Sequence, residues 1–288
     1  NPKLFDCFPG VEIKGGVNYF LWDRDYNGDC EFSTRIDGEI VSKSVRDLRD
    51  GDGVIVRDNN ASSIIAKCRP KLEKDSLASR FSSQFPFGQS ITTNFAGAKS
   101  EPFKNSIPLI FGSHVGYIER SQVEKNDSWV DKYKVIVPKA GDGHGRETSY
   151  VLGEPLALAP GSVCTQTYLV AGVFDTASEA ENYAKYLTTK LARFLLLQRK
   201  STQDTRPDKL RFVPIMDFTR EWTDEDLYDY FKLTSEEIAY IEATIHPREV
   251  ILSLDSSIPA SHLPGGSKYR APGQRAESDT DEGAEDDE

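Results

Sequence analysis

The sequence lacks a long hydrophobic run, a secretory leader and clustered cysteines. Its longest apolar runs have about four residues, as in Phe194–Leu197, whereas a membrane-crossing helix needs about 20. No basic stretch followed by an apolar one marks a leader. The four cysteines show no CxxC spacing, which disfavours a disulfide framework and a zinc site: Cys7, Cys30, Cys68 and Cys164. We therefore predict reduced thiols, a cytoplasmic location and no membrane partner.

Motifs for metals and nucleotides are missing as well. The four histidines lie far apart and form no ligand-spaced set, and the glycine-rich stretch 141–145 does not have the dinucleotide or P-loop spacing. One tripeptide, Glu12-Ile13-Lys14, has two interpretations. An acid and a lysine two residues apart on a strand can form half of a Mg²⁺-dependent nuclease site, with Glu12 holding the cation and Lys14 supporting the attacking water. Two solvent-facing hairpin residues are the simpler interpretation.

Charge is distributed unevenly along the chain. The whole chain has a net charge of −11, but residues 277–288 contain eight acids and no base, so the charge without them is −3. Such a run repels itself and cannot bury a core, which predicts a disordered acidic tail. The segment Lys190–Arg211 has the opposite character, with seven bases and two acids. It predicts either a surface for a polyanion or a solvated helix end.

Short strands are predicted over the first three quarters of the chain. Gly15-Gly16 predicts a two-residue turn between Val11–Lys14 and Val17–Trp22, and the second of these strands is apolar enough to be buried on both faces. Further strands follow. They are predicted at Cys30–Ile36, Pro108–Phe111, His114–Glu119, Lys134–Val137, Thr165–Phe174 and Arg211–Pro214.

Capping patterns predict the helices. Asn59 or Asn60 precedes a short helix that should stop at Pro70. Capping boxes begin three more helices. The first box is Thr176 with Glu179, which begins one long helix through Leu195. The other two boxes are Thr223 with Asp226 and Thr234 with Glu237.

Several separate blocks resemble one protein family. They are FPGVEIKGGVNYFLWDRDYNGDCEF (8–32), DKYKVIVPKA (131–140), PGSVCTQTYLV (160–170) and, most strongly, RFLLLQRKSTQDTR, FVPIMDF and WTDEDLYDYFKLTSEEIAYIEATI within 189–245. In this order they are similar to the C-terminal part of adenine-specific (N6) DNA methyltransferases of bacterial restriction–modification systems. The resemblance covers about residues 1–250 and is weakest from 36 to 125.

The resemblance implies an α/β fold with the edge strands of a doubly wound methyltransferase sheet followed by a mixed α/β target-recognition domain. Residues 1–35 would be the C-terminal edge of the catalytic domain, 36–250 the target-recognition domain and 251–288 the acidic tail. The family's cofactor and catalytic motifs do not occur here, and Asn1-Pro2 lacks the second proline and the aromatic residue of the catalytic motif. We therefore expect an upstream domain to bind S-adenosylmethionine, and this fragment to have no catalytic residue, no cofactor and no activity alone.

The resemblance implies double-stranded DNA as the partner and a cognate restriction endonuclease as a further partner. It also implies a bacterial protein associated with the nucleoid. Phe8 and Pro9 match the place where an aromatic side chain stacks on the flipped adenine, which replaces the stacking lost in the duplex. Basic and amide side chains can bind phosphates or read bases. The predicted DNA-binding residues are Arg199, Lys200, Gln203, Arg206, Lys209 and Arg211, with Lys132, Lys134 and Lys139 as weaker candidates. Charge complementarity at a helix C-terminus is the structural alternative.

Two other functions stay open. One is a Mg²⁺-dependent restriction endonuclease, alone or fused to a methyltransferase in one polypeptide. The other is a stand-alone DNA-specificity subunit. The initial hairpin disfavours the second, because an isolated sheet edge with apolar faces would be exposed and prone to aggregation.

Removing residues 277–288 should raise the affinity for non-specific duplex DNA a few-fold at low salt, because the acids of the tail compete with phosphates for the basic segment. Titration of labelled duplex with the complete and shortened chains measures this. Equal affinities at low salt would show that the tail does not compete.

Overall fold

The computed structural model describes residues 18–36, 38–48, 53–112, 114–140, 151–200 and 204–246. These ranges form a mixed α/β fold with three small sheets and no closed barrel. The strands are β1 (Cys30–Ile36), β2 (Glu39–Arg46), β3 (Ser106–Phe111), β4 (His114–Glu119), β5 (Tyr133–Pro138), β6 (Leu156–Leu158), β7 (Val163–Cys164) and β8 (Tyr168–Phe174). The α-helices are α1 (Ala61–Leu72), α2 (Ala177–Thr188), α3 (Lys190–Leu197), α4 (Asp224–Tyr230) and α5 (Ser235–Thr244). Short 3₁₀ helices occur at Leu77–Ser79, Arg120–Gln122, Asp127–Trp129 and Pro207–Phe212.

The sheet β6-β5-β8 lies at the centre and is buried on both faces. Successive side chains of a strand point to opposite faces. Accordingly Val135 and Val137 join the larger core with the helices, whereas Ile136 joins the smaller core with β3, β4 and β7. The pairings of β5 with both neighbours are antiparallel. The central strand therefore holds the two cores together.

The second sheet, β4-β3-β7, closes the smaller core. The antiparallel hairpin of β3 and β4 pairs Ile107 with Ile118, and β3 also pairs in parallel with β7, where Leu109 lies opposite Val163. The predicted strands at 108–111, 114–119 and 134–137 are confirmed. The alternating apolar residues of β3 and β4 form the layer that packs against the central sheet.

The long helix predicted from Thr176 is in fact two helices. Thr189 takes an extended backbone conformation (ψ 150°), and its hydroxyl accepts a hydrogen bond from the amide of Ala192, so that it caps a new helix, α3. Continuous apolar periodicity hid this break, because both helices turn apolar faces to the same core. The capping boxes of α4 and α5 are confirmed.

Two boundaries near proline were predicted wrongly. The helix α1 includes Pro70 and ends two residues later, where the amide of Glu73 donates to the carbonyl of Arg69 (3.0 Å). Residues 211–214 form no strand. Arg211 and Phe212 are the last two residues of the 3₁₀ helix Pro207–Phe212, which begins with a proline as the first turn of a helix allows. Among the described residues, this segment forms one β-contact, an isolated antiparallel bridge between Ser76 and Pro214.

The predicted buried strand Val17–Trp22 is also wrong where the structure describes it. Residues 18–22 form no strand, and Leu21 and Trp22 are 96% and 73% exposed. The rest of the initial hairpin prediction lies outside the described residues.

The strand predicted at Cys30–Ile36 is confirmed and pairs with β2 in an antiparallel hairpin. The inward face of this hairpin is mainly polar and includes one half-buried aromatic residue, Phe32. Asn59 lies at 2.6 Å from Ser44 and 2.5 Å from Ser42, and the hydroxyl of Thr34 donates to the carbonyl of Arg57 (3.1 Å). Val41 and Val45 point outward and are exposed.

The α/β class is thus confirmed, and the methyltransferase sheet arrangement stays a prediction. The predicted domain boundary at residue 35 falls inside β1, and the division into domains stays a prediction as well. Within the described ranges, no helix is long and apolar enough to span a bilayer.

Replacing Ile136 with Ala should lower the free energy of unfolding by about 2–5 kcal/mol, because the side chain is fully buried between the two sheets and its loss leaves a cavity. Ile40, which is 49% exposed, is the matched control, and its change to Ala should cost less than about 0.5 kcal/mol. Urea denaturation measures both. Equal effects of the two changes would contradict the central position of β5.

Candidate nucleic-acid interface

In the part of the basic segment that follows α3, the first two cations are buried. Arg199 is 8% exposed, its Nε donates to the carbonyl of Asp208 (3.0 Å), and its guanidinium lies 4.8 Å from the centroid of the Phe212 ring. Arg199 therefore fastens the 3₁₀ helix Pro207–Phe212 to the end of α3.

Lys200 has a similar internal position. Its Nζ donates to the carbonyl of Val151 (2.5 Å) and lies 3.4 Å from the hydroxyl of Thr205. Burial lowers the pKa of Lys200 to about 8, because the apolar surroundings disfavour its charged form. The side chain joins two parts of the chain and is not presented to solvent.

Lys139 connects the end of β5 to the same segment. Its Nζ forms an ion pair with Asp204 (3.4 Å), its carbonyl accepts from the amide of Thr205 (2.7 Å), and Ala140 forms an isolated antiparallel bridge with Asp204. The central sheet thereby sets the position of the basic segment.

The solvent-facing cations are Arg206, Lys209 and Arg211, around the 3₁₀ helix. Lys209 is half-buried and pairs with Asp208 (3.2 Å). Arg206 and Arg211 are exposed, and no described residue forms a hydrogen bond or ion pair with either guanidinium. Leu210 and Phe212, on either side of Arg211 in the sequence, are buried and anchor the turn. Two guanidiniums are thus presented to solvent from a firmly packed element.

The remaining lysines lie elsewhere. Lys132 is exposed and pairs with Asp175 at the beginning of β5. A strand advances about 3.3 Å per residue, so Lys132 and Lys139 are about 20 Å apart along it. The fold therefore does not bring all the predicted DNA-binding residues together.

Lys134 is completely buried between the sheets. Its Nζ is 3.5 Å from the carbonyl of Val130, and Asp131 and Cys164 are the charged or titratable groups near it. Burial lowers the pKa of Lys134 to about 8. This position gives the lysine no access to a phosphate in the folded chain, although DNA binding by the predicted residues as a set stays a prediction.

Several predicted residues lie outside the described ranges. These are Phe8 and Pro9 for base stacking, Gln203 for DNA binding, and Glu12 and Lys14 for the nuclease alternative. In the ranges that are described, no group of three or more His, Cys, Asp or Glu side chains is arranged to hold a metal ion.

A cleft on the helical side was not predicted from the sequence. It has a volume of about 1220 Å³ and lies where the α2–α3 junction meets α4 and α5. The carboxylate of Asp224 accepts from the amides of Lys190 (2.9 Å) and Leu191 (3.1 Å), so one helix caps another, and burial raises the pKa of Asp224. Tyr228 donates to Glu242 (2.8 Å), which also pairs with Lys190.

The cleft is poorly suited to a polyanion. Five acids and three lysines line it, and the start of α3 that could bind an anion is already occupied by Asp224. No local sequence motif predicts this cleft, because its residues come from segments more than 30 positions apart.

One comparison with known proteins bears on function. Over 62 residues, or 22% of this chain, the sequence is 34% identical to a protein described as an uncharacterized adenine-specific methylase from Mycoplasma pneumoniae, of which the alignment spans 15%. No family model matches the chain, and no solved structure matches it. The partial similarity suggests a methyltransferase-related family, and a relation to enzymes that use S-adenosylmethionine, without extending to a domain arrangement.

Replacing Lys134 with Met should raise the free energy of unfolding at pH 7 by on the order of 1–3 kcal/mol, because burying the ammonium opposes folding. The pKa of Lys134 is about 8 in the folded chain and 10.5 when unperturbed. Between pH 8 and 10.5 the side chain is therefore protonated in the unfolded chain and neutral in the folded chain. Stability contributed by this group therefore rises with pH from about 8 to 10.5 in the native chain, and this rise should be lost in the variant.

Urea denaturation between pH 7 and 10.5 measures the effect, with Lys125→Met as the exposed control. A native-like pH dependence in the Lys134→Met variant would contradict the buried position.

Proposed function

We propose that the chain is the DNA-binding and target-recognition part of a site-specific DNA adenine-N6 methyltransferase of a restriction–modification system. The observation that carries the proposal is the pair of exposed arginines, Arg206 and Arg211, held on a packed turn without partners among the described residues. The partial similarity to an adenine-specific methylase supplies the reaction class.

The chemistry of the two arginines suits a nucleic-acid backbone. A guanidinium is planar, stays charged at any physiological pH and can donate two parallel hydrogen bonds to a phosphate. The segment that carries Arg206 and Arg211 is fixed by Arg199 and Lys139, so little conformational freedom is lost when a ligand binds. Such contacts would position a duplex without reading its sequence.

Methylation of adenine N6 requires the base to leave the stacked duplex. In the proposed enzyme an upstream domain binds S-adenosylmethionine and carries out methyl transfer, while this chain holds the duplex in register. Phe8 and Pro9 would complete the wall against which the flipped adenine stacks. The basic segment contributes binding, and no step of the chemistry passes through it.

Changing both Arg206 and Arg211 to Ala should weaken duplex binding and lower its salt dependence. If each arginine neutralises one phosphate, the slope of log affinity against log salt should fall by about 1.8, because each phosphate contact contributes about 0.9. Fluorescence anisotropy with a labelled duplex, between about 50 and 200 mM salt, measures the slope.

The control removes two positive charges at Lys104 and Lys125, which are exposed and belong to the connections before β3 and after β4. A similar loss in the control would indicate a general charge effect. The absence of any duplex binding by the native chain at low salt would overturn the proposed function.

A further inference from the structure

We propose that Arg80 is a further contact to the DNA phosphate backbone and forms one surface with Arg211; this inference rests on the proposed function. Arg80 belongs to none of the sequence blocks discussed above, and 131 positions separate it from Arg211.

The fold brings these two positions together through an antiparallel contact. Ser76 forms an isolated bridge with Pro214, and the amide of Leu77 donates to the carbonyl of Val213 (2.9 Å). Antiparallel pairing places the residues after Ser76 beside those before Pro214. The 3₁₀ helix Leu77–Ser79 consequently packs against Pro207–Phe212.

Arg80 is also held firmly at its backbone. Its amide donates to the carbonyl of Leu77 (3.0 Å), a residue whose side chain is fully buried. Two residues further on, Ser82 donates its amide to the carbonyl of Val170 in β8 (2.8 Å). The turn that carries Arg80 is therefore attached both to the basic segment and to the central sheet.

The side chain of Arg80 is available to a ligand. It is exposed, and within the described part of the chain no carboxylate forms an ion pair with it. The acid closest in the turn, Asp75, is engaged locally, since it accepts from the amide of Ser76 and the hydroxyl of Ser79 (both 2.7 Å). On the neighbouring turn, Asp208 pairs with Lys209.

Two exposed guanidiniums on adjoining turns, without an ion pair among the described residues, suit a polyanion with regularly spaced phosphates. Arginine also holds a phosphate bidentately, which a lysine does not. The ligand class inferred for this surface is the phosphodiester backbone of duplex DNA, bound without regard to sequence.

The test measures duplex affinity and its salt slope for Arg80→Ala, Arg211→Ala and the double variant, using two duplexes of unrelated sequence. Each single change should lower the slope by about 1 and weaken both duplexes several-fold to a similar extent. Arg80→Lys should retain the slope and recover part of the affinity. Lys125→Ala is the control, and thermal unfolding of every variant verifies the fold.

The outcomes separate the two proposals. If Arg80→Ala binds with native affinity and slope while the Arg206 and Arg211 variants bind more weakly, the role of Arg80 is overturned. The proposed function then stays in place. Native binding in all of these variants would overturn both. The inference is also overturned if Arg80→Ala binds more weakly and unfolds at a lower temperature, and Arg80→Lys does not restore binding. Arg80 would then have a structural role.

Discussion

The burial of β5 on both faces is the constraint on which the rest of the structure depends. Its alternating residues join the core of the helices to the core of the second sheet, so that neither layer can move without exposing the other. The residue after this strand is Lys139, whose carbonyl accepts from the amide of Thr205 and whose side chain pairs with Asp204. The basic segment is therefore positioned by a strand that is buried on both faces.

The sequence was informative wherever the pattern is local. The capping boxes at Thr223 and Thr234 define α4 and α5, and strand alternation locates β3, β4 and β5. It was misleading at Thr189, where a single extended residue interrupts a continuous apolar face. It was also misleading at residues 211–214, where the end of the 3₁₀ helix overlaps the predicted strand. Both errors come from backbone conformations that side-chain periodicity does not encode.

The candidate site shows the same division. Charge density marked the segment 190–211, but charge alone does not distinguish Arg206, which faces solvent, from Arg199 and Lys200, which are buried and satisfied by carbonyl groups. The stems of long cationic side chains can cover apolar surface as readily as they reach outward. Arg80 has no local signal, because its relation to Arg211 exists only through the Ser76–Pro214 bridge.

The hairpin of β1 and β2 is attached to the body in a different manner from every other strand. Its inner face contacts Asn59 and the carbonyl of Arg57 through hydroxyl groups and carries one aromatic residue, the half-buried Phe32. Val41 and Val45 face outward. Detaching it would exchange those hydrogen bonds for bonds to water and would uncover little apolar area. We therefore expect the hairpin to open locally more easily than the central sheet, so that its amide protons exchange with solvent before those of β5.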